Sequence, residues 1–182
     1  ALLKSAQCQS VFPAPHLPSW VSDNADAPWQ VQADTEWGVV TANAYTLNSQ
    51  DGIFDRPFIF IEGIDFGNEH YENQNGTFGW CQFTGGDYSG DYSMMSESPV
   101  FLNELRERGY DLILLDFADG AADIRGNAEI LIKLIQLCNN FKVGNDHLVV
   151  AGASMGGQVA RCALGKMEQT GESHCVGAYI TL

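Results

Sequence analysis

Residues 149–160 read VVAGASMGGQVA. An apolar, β-branched run leads into Gly152, Ala153, Ser154, Met155 and Gly156, and the residues after them have helical spacing. The stretch predicts a strand that bends sharply into a helix, with a serine on the corner. Side chains at 152 and 156 would collide where the helix folds back on the strand, and glycine removes them. A plain turn with Ser154 as helix N-cap would use the same residues. The G-x-S-x-G spacing points further, to a hydroxyl thrust out at the tip of a sheet. The amino end of the helix beneath it favours negative charge.

Around this corner the chain alternates between two patterns. PFIFIEGI (57–64), YDLILLDF (110–117), HLVVAGA (147–153) and CVGAYITL (175–182) are short apolar runs of the kind buried on both faces of a sheet. Between them lie helical segments. SPVFLNELRERG (98–109) has Ser98 as cap, Pro99 in the first turn and Gly109 as stop. NAEILIKLIQLCNN (127–140) places Leu131, Leu134, Ile135 and Cys138 on one face. The helix after the serine turns Val159, Ala160, Ala163, Leu164 and Met167 inward. Strand and helix alternating over 57–182 predict an α/β fold: a mostly parallel sheet with helices on both faces.

Upstream, EWGVVTANAYTLNSQDG (36–52) reads as a strand followed by a turn. Residues 1–36 hold four of the six prolines and little periodicity, and predict an extended amino-terminal arm. The core is then 37–182, interrupted at 66–97 by a long insertion rich in glycine and aromatic residues. Such a loop, at the carboxyl end of a parallel strand, lies on the ligand-binding edge of the sheet. Tyr71, Phe78, Trp80, Phe83, Tyr88 and Tyr92 favour a packed cap over a pocket there.

A chain of 182 residues suffices for one well-packed domain. Nine basic against 23 acidic residues leave a net charge of −14, which repels phosphate backbones and argues against nucleic acid as a partner. No apolar run approaches the roughly 20 residues of a membrane span. The five cysteines lack C-x-x-C spacing. Their odd number has two readings: all are reduced, or bridges form and one partner is free or outside this chain. With the N-G-T triplet at Asn75, the second leads to an expected secreted or periplasmic location. No metal or cofactor is expected: DYSGDY (87–92) lacks the order of a calcium loop. GASMGG lacks dinucleotide and phosphate-loop spacings.

VVAGASMGGQVAR resembles the nucleophile elbow of the α/β-hydrolases, and most closely the lipase and esterase branch with S-M-G-G. The likeness extends over residues 57–182. PFIFIEGI is similar to the strand whose following loop supplies an oxyanion-hole amide, although Glu62-Gly63 stands where many members have His-Gly. The resemblance implies that Ser154 attacks an acyl carbon, and that the amides of Met155 and Ile64 hold the oxyanion. Donors of this kind contribute about 3 to 4 kcal/mol each. Glu62 and Asp65 are read as carboxylates that stabilise the loop.

A neutral serine needs a general base and an acid to orient it. In this superfamily both follow the serine, yet only Glu168, Glu172 and His174 remain downstream. All three fall at the opposite edge of the sheet from the serine, as does His147. His16 lies in the arm, and His70, in the insertion, is the one histidine able to approach the serine without unusual wrapping. The expectation is therefore an amino-terminal part of a larger enzyme. A missing carboxyl-terminal segment or a companion chain would supply Asp or Glu and His. The expected function is a serine carboxylic-ester hydrolase acting through an acyl-enzyme on a small or polymeric ester. The alternatives are a peptidase or acyltransferase on the same scaffold, or a binding module without catalysis.

Overall fold

A computed structural model describes residues 29–47, 49–64 and 100–181. The arm up to residue 28 and the insertion at 66–97 lie outside the described residues, and with them Asp65, His16, His70, the Ser98 cap and the aromatic residues of the insertion. Six strands form one sheet among the described residues: β1 (Trp29–Thr35), β2 (Gly38–Leu47), β3 (Pro57–Ile61), β4 (Asp111–Phe117), β5 (Leu148–Gly152) and β6 (Val176–Thr181). Their spatial order is β1-β2-β4-β3-β5-β6. β3 runs parallel to β4 and β5, and β5 parallel to β6, whereas β2 is antiparallel to β1 and β4. The expected mostly parallel sheet is thus the one observed.

The central strands occupy the middle because their sequences have no polar face. Every residue of β3 and β4 is buried. Ile113, Leu115 and Phe117 pack into one apolar cluster, and Leu112 and Leu114 into a second on the other face. Among the described residues three helices cover the sheet: α1 (Val100–Glu107), α2 (Ile124–Phe141) and α3 (Met155–Thr170). α2 is held by Leu131, Leu134, Ile135 and Cys138, all fully buried. Each such aliphatic side chain contributes about 1.5–3 kcal/mol. Gly109 (φ 83°) ends α1 as expected, with its N–H donating to the Arg106 carbonyl at 3.0 Å.

Strand order decides where a ligand can bind. The step from β3 to β4 moves one way across the sheet, while those from β4 to β5 and from β5 to β6 move the other way. Right-handed crossovers then put α1 on one face and α2 with α3 on the opposite face. The packing agrees, since Leu105 of α1 joins one cluster and α2 and α3 fill the other. The helices that follow neighbouring β3 and β5 therefore lie on opposite faces, and the crevice between the carboxyl ends of these strands is the topological switch point.

Two elements differ from the sequence reading. The last residues of the expected arm, Trp29–Thr35, form the edge strand β1, paired antiparallel with β2 through a turn at Glu36 and Trp37. Only Val31 and Ala33 of this strand are buried, so its alternation is too faint to read. The apolar β6 is mostly exposed, with Tyr179 at 38% and Ile180 at 40%, because it is the sheet edge among the described residues.

Candidate active site

Ser154 sits where β5 becomes α3, at φ 49° and ψ −115°. For a residue with a Cβ this backbone is strained, at a cost of about 1–3 kcal/mol. It occupies the N-cap position of α3 yet makes no side-chain capping bond, and it is exposed. The simpler role of the hydroxyl, capping the helix, is therefore not the one it plays. The expected inner strand does feed this corner: β5 pairs with β3 on one side and β6 on the other.

The glycines are required by contact. A Cβ on Gly152 would lie under 3.0 Å from the carbonyl of Gly156 and the nitrogen of Gly157. One on Gly156 would meet the carbonyl oxygens of Ile61 and Glu62 as closely. Gly157, which the motif reading did not single out, is similarly crowded by the Thr181 hydroxyl, and its carbonyl accepts a 2.5 Å bond from the Tyr179 hydroxyl. That brace spans 22 residues and left no local signal. The first turn of α3 is tight, with the Gly156 N–H donating to the Ala153 carbonyl at 2.7 Å and the Gly157 N–H to that of Ser154 at 3.2 Å.

The expected oxyanion loop lies against this corner. β3 ends at Ile61, the register partner of Gly152, and the Ala153 N–H donates to the Ile61 carbonyl at 3.3 Å. Glu62 and Gly63 are buried and Ile64 is exposed at 37%. Met155 is the first helical residue, so its N–H has no acceptor within α3. The Glu62 carboxylate is 1% exposed, and its Oε1 accepts from the Phe117 N–H at 2.5 Å.

The described histidines stay apart from the serine. His147 precedes β5 and His174 precedes β6, both at the amino-terminal edge of the strands. The Nδ1 of His174 accepts from the Val176 N–H at 2.9 Å, and its Nε2 lies 3.6 Å from Glu168. The structure does not bring Glu168, Glu172 or His174 to the corner. A groove of about 1040 Å³ lies along α3 and β6, lined by residues such as Arg125, Gln158, Arg161, Cys162 and Tyr179, and does not include Ser154. Among the described residues no three His, Cys, Asp or Glu side chains gather to hold a metal ion. No helix there is long and apolar enough to cross a membrane. Cys138 and Cys162 are free thiols.

A serine on a strained strand-to-helix corner at the top of such a sheet is the α/β-hydrolase arrangement. No family profile and no curated protein matches the sequence. Among solved structures, the chain is similar to an α/β serine hydrolase without a lid from Xanthomonas campestris. Identity is 14% and TM-score 0.46, over 79% of this chain and 58% of that one. A probable hydrolytic enzyme from Pseudomonas aeruginosa is similar at 12% identity and TM-score 0.48, over 87% and 42%. A hyperthermophilic esterase from Pyrobaculum calidifontis is similar at 12% and 0.45, over 88% and 46%. The chain thus spans about half the length of these structures.

Proposed function

We propose that this chain carries the nucleophile and the oxyanion-binding amides of a serine carboxylic-ester hydrolase. One observation carries the reading: Ser154 is exposed on a strained corner at the switch point of the sheet, and its hydroxyl caps nothing. Strain of this kind persists where the surroundings enforce it, and it clusters at reactive positions. In the proposed step Ser154 Oγ attacks the ester carbon, and the tetrahedral oxyanion is held by the N–H groups of Met155 and Ile64. Collapse expels the alcohol and leaves an acyl-serine, which water then hydrolyses. The general base and its acid belong to the protein outside the described residues, either from this chain or from a further segment. The substrate is a small or polymeric ester.

An exported location, secreted or periplasmic, is part of the same proposal. Its support is the odd number of cysteines together with the N-G-T triplet at Asn75.

Labelling with a fluorophosphonate tests the assignment. The wild-type protein should incorporate one equivalent at Ser154, and Ser154→Ala should take up none. A protein that folds but stays unlabelled would be a binding module on a hydrolase scaffold.

A further inference from the structure

We infer that Glu62 is a positioning residue that swings the oxyanion loop out of the sheet, an assignment that rests on the proposed esterase reading. Parallel pairing of β3 with β4 stops at Ile61 and Leu115, while β4 continues to Phe117. If β3 continued in register, the ladder that the Glu62 N–H makes to the Leu115 carbonyl would go on with the Phe117 N–H donating to the main-chain carbonyl of Glu62. Instead the N–H is taken by the Glu62 carboxylate at 2.5 Å. The side chain thus replaces the ladder acceptor, and the main chain at Gly63 and Ile64 is released from β4 without leaving a buried donor unsatisfied.

The main chain of Glu62 is held as well. Its N–H donates to the Leu115 carbonyl at 3.4 Å, and its own carbonyl lies in the space that a Cβ on Gly156 would fill. One residue therefore joins the end of β4, the start of the oxyanion loop and the first turn of the elbow helix. A carboxylate only 1% exposed is expensive to bury, and a charge-assisted bond to a main-chain N–H offsets part of that cost. Its effect on catalysis is geometric: it fixes where the Ile64 amide lies relative to Ser154, and so acts on the transition state more than on substrate binding.

Two conservative variants of the whole protein separate reach from charge, with ester hydrolysis and fluorophosphonate uptake both measured. Glu62→Gln keeps the oxygen within reach of Phe117 and loses the charge. Glu62→Asp keeps the charge and withdraws it by one methylene. Positioning predicts that kcat falls about fivefold in Glu62→Gln and about a hundredfold in Glu62→Asp, with KM little changed in both. The reverse order, or equal kcat in both variants, would overturn the assignment while leaving Ser154 as nucleophile. A wild-type protein unlabelled at Ser154 would instead remove the esterase reading, and this inference with it.

Discussion

Ile61 and Gly152 are register partners at the carboxyl ends of β3 and β5, and one residue further on the Ala153 N–H still bonds the Ile61 carbonyl. The Ser154 corner and the Glu62–Ile64 segment therefore leave the sheet from adjacent strands at the same height. α3 covers one face of the sheet, and α1, which follows β3, lies on the other. The relation between Ser154 and Gly63–Ile64 thus follows from strand order, and the glycines allow it by removing the atoms that would hold the two apart.

Gly156→Ala should damage both stability and activity. The added methyl would press on the carbonyl oxygens of Ile61 and Glu62, which belong to a buried strand end and cannot retreat. Unfolding free energy should fall by about 1–3 kcal/mol, and kcat by about a hundredfold through displacement of the corner. Gly165→Ala, on the same helix with nothing near the added methyl, should stabilise by about 0.4–1 kcal/mol. Urea titrations of both variants, with ester hydrolysis, check the contrast.

Replacing the serine itself separates strain from chemistry. Ser154→Gly can relax at φ 49°, so it should be more stable than wild type by about 1 kcal/mol after allowing for the greater freedom of the unfolded chain. Ser154→Ala keeps a Cβ and hence the strain, and should stay within about 0.5 kcal/mol of wild type. Both should be inactive. Equal stability of the two variants would mean the corner stores no strain.

At acid pH the start of α2 should contribute a visible limb. Asp123 accepts from the Arg125 backbone N–H at 2.9 Å and from its guanidinium at 2.8 and 3.0 Å. The Arg125 side-chain bonds, with the backbone bond behind them, lower the carboxyl from 3.8 to about 2. A lowered folded-state pKa means the unfolded chain binds the proton first on acidification. The contribution is therefore complete above 3.8 and is lost as pH falls toward about 2. Solvent screens this exposed pair, so the limb should be shallow. Asp123→Asn should flatten it, and its urea midpoint should converge on wild type at the acid end.

Cys138 and Cys162, the free thiols among the described residues, should react in sequence. Burial pushes the Cys138 thiol far up and also encloses it completely. Burial raises the Cys162 thiol as well, with Glu129 adding to the effect, but its side chain is only partly covered. Iodoacetamide at about pH 8 should modify Cys162 slowly in the native protein, and reach Cys138 only after unfolding. Peptide mapping by mass spectrometry distinguishes the two.

Much of this architecture is local and so can be read along the chain. β3 and β4 announce themselves as unbroken apolar runs, and α2 through a face of Leu131, Leu134, Ile135 and Cys138, because burial on two faces or one stripe leaves a period in composition. The elbow is legible too, since the crowding that excludes side chains at 152 and 156 acts over four residues. β1 escaped because it buries only two small or medium side chains. The sequence pattern starts α2 at Asn127, whereas the helix begins at Ile124 behind the Asp123 cap, because Ile124 and Arg125 are exposed and add nothing to the buried face.

Ser154 as an outward corner between strand and helix, and the alternation that builds a parallel sheet, were determined by the sequence alone, because steric exclusion and hydrophobic periodicity act between near neighbours. Only the tertiary structure decided that Glu62 bonds the Phe117 N–H and that Tyr179 braces Gly157. Those relations join residues tens of positions apart, and they are set by strand order and crossover handedness, which no stretch of sequence encodes by itself.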